Sequence, residues 1–164
     1  MQTSIAAEVL QLCREQGLTL AAAESCTGGL IAKRLTDIPG ASQVFLGGVV
    51  SYTNGVKNHV LGVPASLLEA CGAVSAPVAR AMAMGVRVLT GSDLALYVPV
   101  LAGPDGDDRG NPVGTVFVAL SAPEGVFVRQ LALGGDRERI RTLSAHHALD
   151  LLRRYLTDQM TEGE

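Results

Sequence analysis

Apolar and polar residues recur with two different periods along this chain, and the changes of period predict a series of helices and strands. Apolar residues three or four positions apart, the spacing of one helix face, recur in six segments. The predicted helices cover residues 3–16, 28–38, 56–61, 64–71, 74–89 and 137–155. Short apolar or β-branched runs between them predict strands. The predicted strands cover residues 18–23, 43–52 and 93–101, and a hairpin over 113–133 turns at "APEG".

The order of these elements predicts the fold class. Strands alternate with helices along most of the chain and one hairpin comes late, which is typical of an α/β protein. We therefore expect a three-layer α/β/α sandwich with a mixed, mostly parallel sheet. The 164 residues fall within the size of one domain, and 48% apolar against 18% charged residues favour a folded core. We expect one domain over residues 1–164.

Charge and composition argue against several kinds of partner. The net charge is −3, Lys and Arg form no run, and aromatic residues are few, so a nucleic-acid partner is not expected. No apolar run approaches the roughly 20 residues that cross a bilayer. The first residues, "MQTSIAAEVLQLC", lack the basic start and cleavage site of a signal peptide. We expect a cytoplasmic protein without a membrane partner.

The cysteines and histidines give no indication of a metal. The three cysteines are odd in number and widely scattered, which is typical of reduced thiols. They are Cys13, Cys26 and Cys71, and the three histidines are His59, His146 and His147. None of these residues has metal-ligand spacing. We expect neither a metal site nor a cofactor.

The stretch "AAESCTGGLI", residues 22–31, carries the first candidate chemistry. Ser25, Cys26 and Thr27 stand where a predicted strand turns into a predicted helix. One interpretation is helix capping, in which a hydroxyl accepts hydrogen bonds from the first helical turn. The other is a ligand site, because ligands of α/β sheets bind outside the carboxyl ends of strands. Free N–H groups and the helix dipole would then face a phosphate or an oxyanion, and Gly28 and Gly29 would allow close approach.

A serine hydroxyl needs a base within hydrogen-bond reach before it attacks a carbonyl. The predicted strand over 43–52 brings Tyr52, and five residues later Lys57, to the same sheet edge. A lysine whose pKa is lowered by burial, assisted by a tyrosine, is a suitable base. The alternative is that Tyr52 is a half-buried strand end and Lys57 a solvated residue after "NG".

Other reactive or charged residues have simpler interpretations. Cys26 is a rival nucleophile, although a free cysteine is more often inert packing. Glu24 either polarises the site or pairs with backbone N–H groups or an arginine. The acidic residues of the loop "GPDGDDRG" are interpreted as a solvated turn because their spacing fits no calcium loop. They are Asp105, Asp107 and Asp108.

Two further groups are assigned structural positions only. The arginines of the last predicted helix are interpreted as its solvent-exposed face, without a functional role: Arg139, Arg141, Arg153 and Arg154. Met82 and Met84 are interpreted as filling the core or a subunit interface.

A set of motifs, in order and spacing, resembles the CinA C-terminal domain family. The motifs are "AAESCTGGLIAKRLTDIPGAS", "GGVVSYTNGVKNHVLGV", "GAVSAPVA", "AGPDG", "PVGTVFVA" and "GDRERIR". Together they cover nearly the whole chain, so the set is far more specific than any single motif. The family's longer members carry an extra N-terminal molybdopterin-binding-like domain, and this chain resembles the stand-alone form.

The resemblance implies an activity and a set of site residues. Family members act as nicotinamide-nucleotide amidases, which convert nicotinamide mononucleotide to nicotinic acid mononucleotide and ammonia. The residues that match the catalytic group are Ser25 as nucleophile with Tyr52 and Lys57 as its proton-transfer partners. The residues that match the substrate-binding group are Thr27, Gly28, Gly29, Ala102, Gly103 and Arg137. Arg137 would pair with the nucleotide phosphate or orient the substrate. The resemblance also implies a homo-oligomer, a dimer or a higher assembly.

Three residues depart from the family pattern. Before "AGPDG" the family usually has Ser or Thr followed by Gly, whereas this chain has Pro99 and Val100. Asn111 stands where a lysine is common. Proline removes a hydroxyl and an N–H, and valine adds bulk, so both changes affect substrate binding. The alternative function is therefore a nucleotide-binding regulatory or interaction protein with weakened or lost amidase activity.

Overall fold

The computed structural model describes residues 4–160, in which a five-stranded sheet lies between two layers of helices. The strands are β1 (Leu20–Glu24), β2 (Phe45–Val50), β3 (Leu94–Val98), β4 (Thr115–Ala122) and β5 (Gly125–Ala132). The helices are α1 (Ile5–Gln16), α2 (Leu30–Thr36), α3 (Asn54–Leu61), α4 (Ala65–Cys71), α5 (Ala76–Thr90) and α6 (Arg137–Leu156). A turn of 3-10 helix over Ala41–Gln43 precedes β2.

The sheet has the strand order β2-β1-β3-β4-β5. The strands β2, β1 and β3 pair in parallel, whereas β4 pairs antiparallel with both β3 and β5. Four of the five strands therefore point the same way, and β4 runs against them. This arrangement confirms the predicted α/β/α sandwich with a mixed, mostly parallel sheet. The parallel strands β1 and β2 end at the same edge, where Ser51 N–H donates to the Glu24 carbonyl at 2.7 Å.

Each face of the sheet has its own apolar core. On one face, side chains of α1, α2 and α6 pack against Leu20, Ala22 and Leu96. On the other face, α3, α4 and α5 cover Ala21, Ala23 and their neighbours on β3 and β4. All five residues of β1 are buried, as expected for a parallel strand covered on both faces. Within residues 4–160, no helix is both long and apolar enough to cross a membrane.

The predicted elements are all present, and their boundaries differ by a few residues. The helix predicted from residue 28 begins at Leu30, because Gly28 and Gly29 have φ of +63° and +102° and form a turn. The helix predicted from residue 3 begins at Ile5 with Ser4 as its cap, and residue 3 lies outside the described part of the chain. Met82 is in the core, whereas Met84 is exposed.

The close approach of α3 and α5 makes Gly85 necessary. A Cβ atom on Gly85 would lie 2.2 Å from the backbone oxygen of Leu61, which is backbone and cannot move aside alone. Gly85→Ala is expected to lower the free energy of unfolding by about 1–3 kcal/mol through overpacking. Urea unfolding measures the change. Gly55→Ala is the control, because its Cβ would meet no atom within 4 Å; equal losses in both variants would contradict this packing argument.

Candidate functional site

The turn between β1 and α2 is held from inside the protein by Glu24. Its side chain is 1% exposed, and the two carboxylate oxygens accept hydrogen bonds from Ile31 N–H at 2.8 Å and Ala32 N–H at 3.0 Å. The interpretation that Glu24 pairs with backbone N–H groups is therefore confirmed. Because the N-cap residue Gly29 has no side chain, this carboxylate takes over the capping of α2. The turn carrying Ser25 is thereby tied to the helix that follows it.

Arg141 holds the same turn from α6. Its Nε donates to the Cys26 carbonyl at 2.8 Å and its Nη2 donates to the Thr27 carbonyl at 3.4 Å. Its Nη1 lies 3.4 Å from Glu138. The interpretation of Arg141 as a solvent-exposed residue without a role is therefore wrong. No signal in the sequence links Arg141 to a turn more than a hundred residues earlier.

Thr27, Gly28 and Gly29 support the turn and are not among the residues that line the cavity at Ser25. Thr27 is buried, and a Cβ atom on Gly28 would lie 3.1 Å from Nη2 of Arg141. The glycine therefore leaves room for the arginine. A substrate-binding role for these three residues stays a prediction.

The first N–H groups of α2 are already used within the protein. Leu30 N–H donates to the Thr27 carbonyl, and the next two N–H groups donate to Glu24. The expectation that this helical turn offers its N–H groups to a ligand is therefore wrong. Within residues 4–160, the N–H groups of Cys26 and Thr27 make no hydrogen bond. These two, immediately after Ser25, are the donors that remain for an oxyanion.

Ser25, Tyr52 and Lys57 line one cavity of about 260 Å³ at the carboxyl edge of the sheet. Ser25 follows β1, Tyr52 follows β2, and Lys57 lies on α3. The parallel pairing of β1 with β2 brings the first two residues to the same edge. Ala102, Gly103 and Arg137 line this cavity too, so six of the nine predicted site residues share it. Their chemical roles stay predictions.

Lys57 is almost completely withdrawn from solvent. It is 2% exposed, and its Nζ donates to the backbone carbonyl of Tyr52 at 3.2 Å. Burial lowers the pKa of the Lys57 amine below its ordinary value, because a buried site disfavours the charged form. The alternative interpretation of Lys57 as a solvated residue is therefore wrong. A larger fraction of such a lysine is neutral near pH 7 than of a lysine in water, so its amine is more available to accept a proton.

Tyr52 lies at the mouth of the cavity. Its side chain is 59% exposed, and its hydroxyl accepts a hydrogen bond from Nη2 of Arg137 at 3.2 Å. Nη1 of Arg137 donates to the Gly103 carbonyl at 2.8 Å. Arg137 therefore links the loop after β3 to the tyrosine after β2. The guanidinium therefore lies at the cavity entrance, and its remaining N–H groups are available to a ligand.

The three departures from the family pattern have different positions. Val100 lines the cavity, so its bulk does reach the site. The Pro99 carbonyl accepts a hydrogen bond from Phe117 N–H at 3.1 Å, which ties this segment to β4. Asn111 lies away from the cavity, and its Nδ2 donates to Asp107 at 2.7 Å. Asp107 also accepts from Arg109 N–H, so its carboxylate organises the loop, consistent with a turn.

Sequence reasoning missed Tyr97, which lies next to Ser25. Tyr97 is on β3, is completely buried, and stands in the otherwise apolar strand "LALYV". Burial raises the pKa of its hydroxyl above the ordinary value, and the nearby Ser25 side chain partly opposes this increase. The one available signal was a tyrosine in a strand with no other polar side chain.

The fold and the cavity define an α/β sandwich protein with a candidate serine site at the carboxyl edge of its parallel strands. The sequence model described as CinA C-terminal domain matches residues 2–156. The chain belongs to this family.

Relatives and solved structures agree with this assignment. A CinA-like protein from Geobacter sulfurreducens is 57% identical over 148 residues, which are 90% of this chain and 36% of that protein. A CinA-like protein from Desulfotalea psychrophila is 56% identical over 142 residues, 87% of this chain and 34% of that protein. This chain therefore spans about a third of the length of these curated relatives.

Two crystal structures share the fold over nearly their whole length. Competence damage-inducible protein A from Klebsiella pneumoniae superimposes with a TM-score of 0.92 at 32% identity, over 95% of this chain and 97% of that one. The competence/damage inducible protein CihA from Agrobacterium tumefaciens has a TM-score of 0.88 at 38% identity, over 93% of both chains.

Loss of the Arg141 side chain is expected to loosen the turn at Ser25. Arg141→Ala removes a charged donor from two backbone carbonyls, so the free energy of unfolding should fall by about 1–2 kcal/mol. Chemical denaturation measures the loss, and Arg139→Ala, at an exposed position on the same helix, is the control. If both variants unfold at the denaturant concentration of the wild type, Arg141 does not hold the turn.

Proposed function

We propose that this protein is an amidohydrolase that converts nicotinamide mononucleotide to nicotinic acid mononucleotide and ammonia. The observation that carries the proposal is the buried lysine, because Lys57 and Ser25 line one cavity and burial lowers the pKa of the lysine amine. A neutral amine beside a serine is what a nucleophilic serine without a histidine requires. The substrate comes from the resemblance of the site motifs to the nicotinamide-nucleotide amidases.

The reaction follows from these positions in two stages. Oγ of Ser25 attacks the carboxamide carbon while Nζ of Lys57 takes the hydroxyl proton. The unused N–H groups of Cys26 and Thr27 are candidates to stabilise the oxyanion. The C–N bond then breaks, and ammonia leaves with a proton passed from Lys57, with Tyr52 assisting at the cavity mouth. Water hydrolyses the resulting acyl ester, which releases the acid and restores Ser25.

A second cavity gives room for the rest of a nucleotide. It has a volume of about 640 Å³ and shares Asn54, Ala73, Val74 and Leu101 with the cavity at Ser25. Its charged lining consists of three carboxylates, Glu69, Asp107 and Asp108, and of Arg109, whose guanidinium already donates to the Glu69 and Ala70 carbonyls. These carboxylates would repel a phosphate and accept hydrogen bonds from sugar hydroxyls. The phosphate is therefore assigned to the Arg137 side of the mouth and the ribose to the larger cavity.

The alternative function is nucleotide binding without turnover, in a regulatory or interaction protein. Val100 favours it, because this side chain takes space in the cavity where the family usually has glycine. A substrate could then bind without reaching the position needed for attack. Both functions keep the same pocket, so the release of ammonia distinguishes them.

The homo-oligomer implied by the resemblance is also proposed. Apolar side chains are exposed together on the neighbouring helices α3 and α5, where Val88 is 83% exposed. Val60, Met84, Val88 and Leu89 line a shared groove there. An apolar surface of this kind is typical of protein contacts, which supports assembly through this groove.

The purified protein is expected to release ammonia from nicotinamide mononucleotide, and Ser25→Ala to reduce the rate by about 1,000-fold or more. Ammonia is measured by a coupled assay, and nucleotide binding by calorimetry. Cys26→Ala is the matched control because it removes the neighbouring thiol and leaves the serine. Loss of activity in Cys26→Ala alone would identify the thiol as nucleophile, and binding without ammonia in the wild type would favour the alternative function.

The rate is expected to rise with pH through a pKa below the ordinary value for lysine. At low pH the Lys57 amine is protonated and cannot accept the serine proton; as the pH rises through the lowered pKa, the neutral base forms. Lys57→Met should lower kcat/KM by about 100-fold or more and remove this inflection. Lys33, the other lysine of the chain, is exposed and pairs with Asp37, so Lys33→Met is the control. An unchanged pH profile in Lys57→Met would exclude Lys57 as the base.

A further inference from the structure

Tyr97 carries a buried hydroxyl without a hydrogen-bond partner of ordinary length in the described residues. It is among the largest completely buried side chains of the protein. Burying a hydroxyl without a partner costs about 1–3 kcal/mol. A phenylalanine would place the same ring in the same core without that cost. The hydroxyl therefore needs an explanation that packing does not supply.

The pairing of β3 places Tyr97 close to the turn that carries Ser25. Its backbone pairs with Ala23 on β1 and Ala119 on β4, and both alanines belong to the same apolar cluster as the tyrosine. Their small side chains leave space for one large ring on this face of the sheet. Ser25 follows Ala23 by two residues, so it lies directly after the end of β1, beside the strand that carries Tyr97.

Two more buried hydroxyls without a partner occur at this same edge. Thr27 lies two residues after Ser25, and Ser51 directly follows β2, hydrogen-bonded through its backbone to Glu24. Within residues 4–160, these two and Tyr97 are the buried hydroxyls that have no ordinary hydrogen bond. They come from three different segments of the chain. All three lie at or just beyond the carboxyl ends of the parallel strands, where Ser25 also lies, and such groups are otherwise rare.

We propose that Tyr97 is a positioning residue for Ser25, whose hydroxyl donates a hydrogen bond to Oγ of the serine as it reacts. A donor on this side of Oγ leaves the serine's own proton to point towards the Lys57 amine. The same donor stabilises the oxygen while that proton leaves it. This inference rests on the proposed role of Ser25 as nucleophile, and adds a second tyrosine with a different task from Tyr52.

The two tyrosines are suited to different tasks by their environments. Burial keeps the proton on Tyr97, so this hydroxyl acts as a neutral donor and not as a base. Tyr52 is exposed at the mouth and already accepts a hydrogen bond from Arg137, so it can meet the leaving group. Tyr97 is buried and is not among the residues that line the cavity. It therefore acts through the serine and contacts no substrate.

The test is Tyr97→Phe, measured by the reaction of Ser25 with phenylmethylsulfonyl fluoride. Oγ attacks the sulfonyl sulfur and fluoride leaves, so intact mass reports labelling without any assumption about the natural substrate. We expect labelling of Ser25 to slow by about ten-fold or more. This is the effect expected when one hydrogen-bond donor to a developing charge is lost. The thermal midpoint should stay the same or rise, because an unpaired hydroxyl has been removed from the core. With nicotinamide mononucleotide, kcat should fall by a similar factor while KM stays the same.

Tyr155→Phe is the matched control, because Tyr155 is on α6 and its hydroxyl bonds Glu124 away from the cavity. Equal labelling rates in Tyr97→Phe and the wild type overturn the inference, even if nicotinamide mononucleotide is hydrolysed. Slower labelling with an unchanged thermal midpoint supports it, even if the wild type releases no ammonia. A slower rate accompanied by a lower thermal midpoint, or equal slowing in Tyr155→Phe, assigns Tyr97 to packing and also overturns it. A wild-type serine that neither reacts with the reagent nor turns over overturns both this inference and the proposed function.

Discussion

The two hydrogen bonds from the first turn of α2 to the Glu24 carboxylate are the constraint on which the site depends. Glu24 ends β1 and Ile31 and Ala32 lie in the first turn of α2, so the carboxylate closes the turn that contains Ser25. Arg141 holds the carbonyls on the other side of the same turn. A nucleophile on a flexible loop would lose most of the benefit of a nearby base, because reaction needs both groups within a fraction of an ångström. The turn is thus fixed by side chains that never touch a ligand.

The edge of the sheet that this turn occupies concentrates groups that do not help the protein to fold. A lysine is buried without a carboxylate partner among the described residues, and three hydroxyls lack ordinary hydrogen bonds. Each arrangement costs free energy, and the two apolar cores on either side of the sheet offset that cost. Costly polar groups gathered at one place are typical of a functional site. The lowered pKa of Lys57 and the orphan hydroxyl of Tyr97 therefore support the same conclusion from different physical effects.

Sequence reasoning reached the fold and much of the cavity, but it missed the contacts that hold the turn. The pattern of the apolar residues predicted the five strands and the six α-helices, and parallel strand ends placed Ser25, Tyr52 and Lys57 at one edge. The role of Arg141 could not be predicted from the sequence, because its partners are far away along the chain and an arginine on an amphipathic helix is usually solvated. Tyr97 was missed for another reason, since a tyrosine in an apolar strand is usually core. The N–H groups of α2 were misjudged because Glu24 had two possible partners, and only coordinates distinguish them.

In the proposed mechanism, Arg137 binds the nucleotide phosphate and also holds Tyr52 in position. A guanidinium has five N–H donors in a rigid plane, and two of them are used by Gly103 and Tyr52. Three donors therefore remain, so a phosphate can bind Arg137 while the tyrosine stays in place. Because the group is planar, an anion bound to its free side fixes the distance between the nucleotide phosphate and the Tyr52 hydroxyl. One arginine would then align the distant end of the substrate and the proton donor together, which explains why Tyr52 can be exposed and still be held in position.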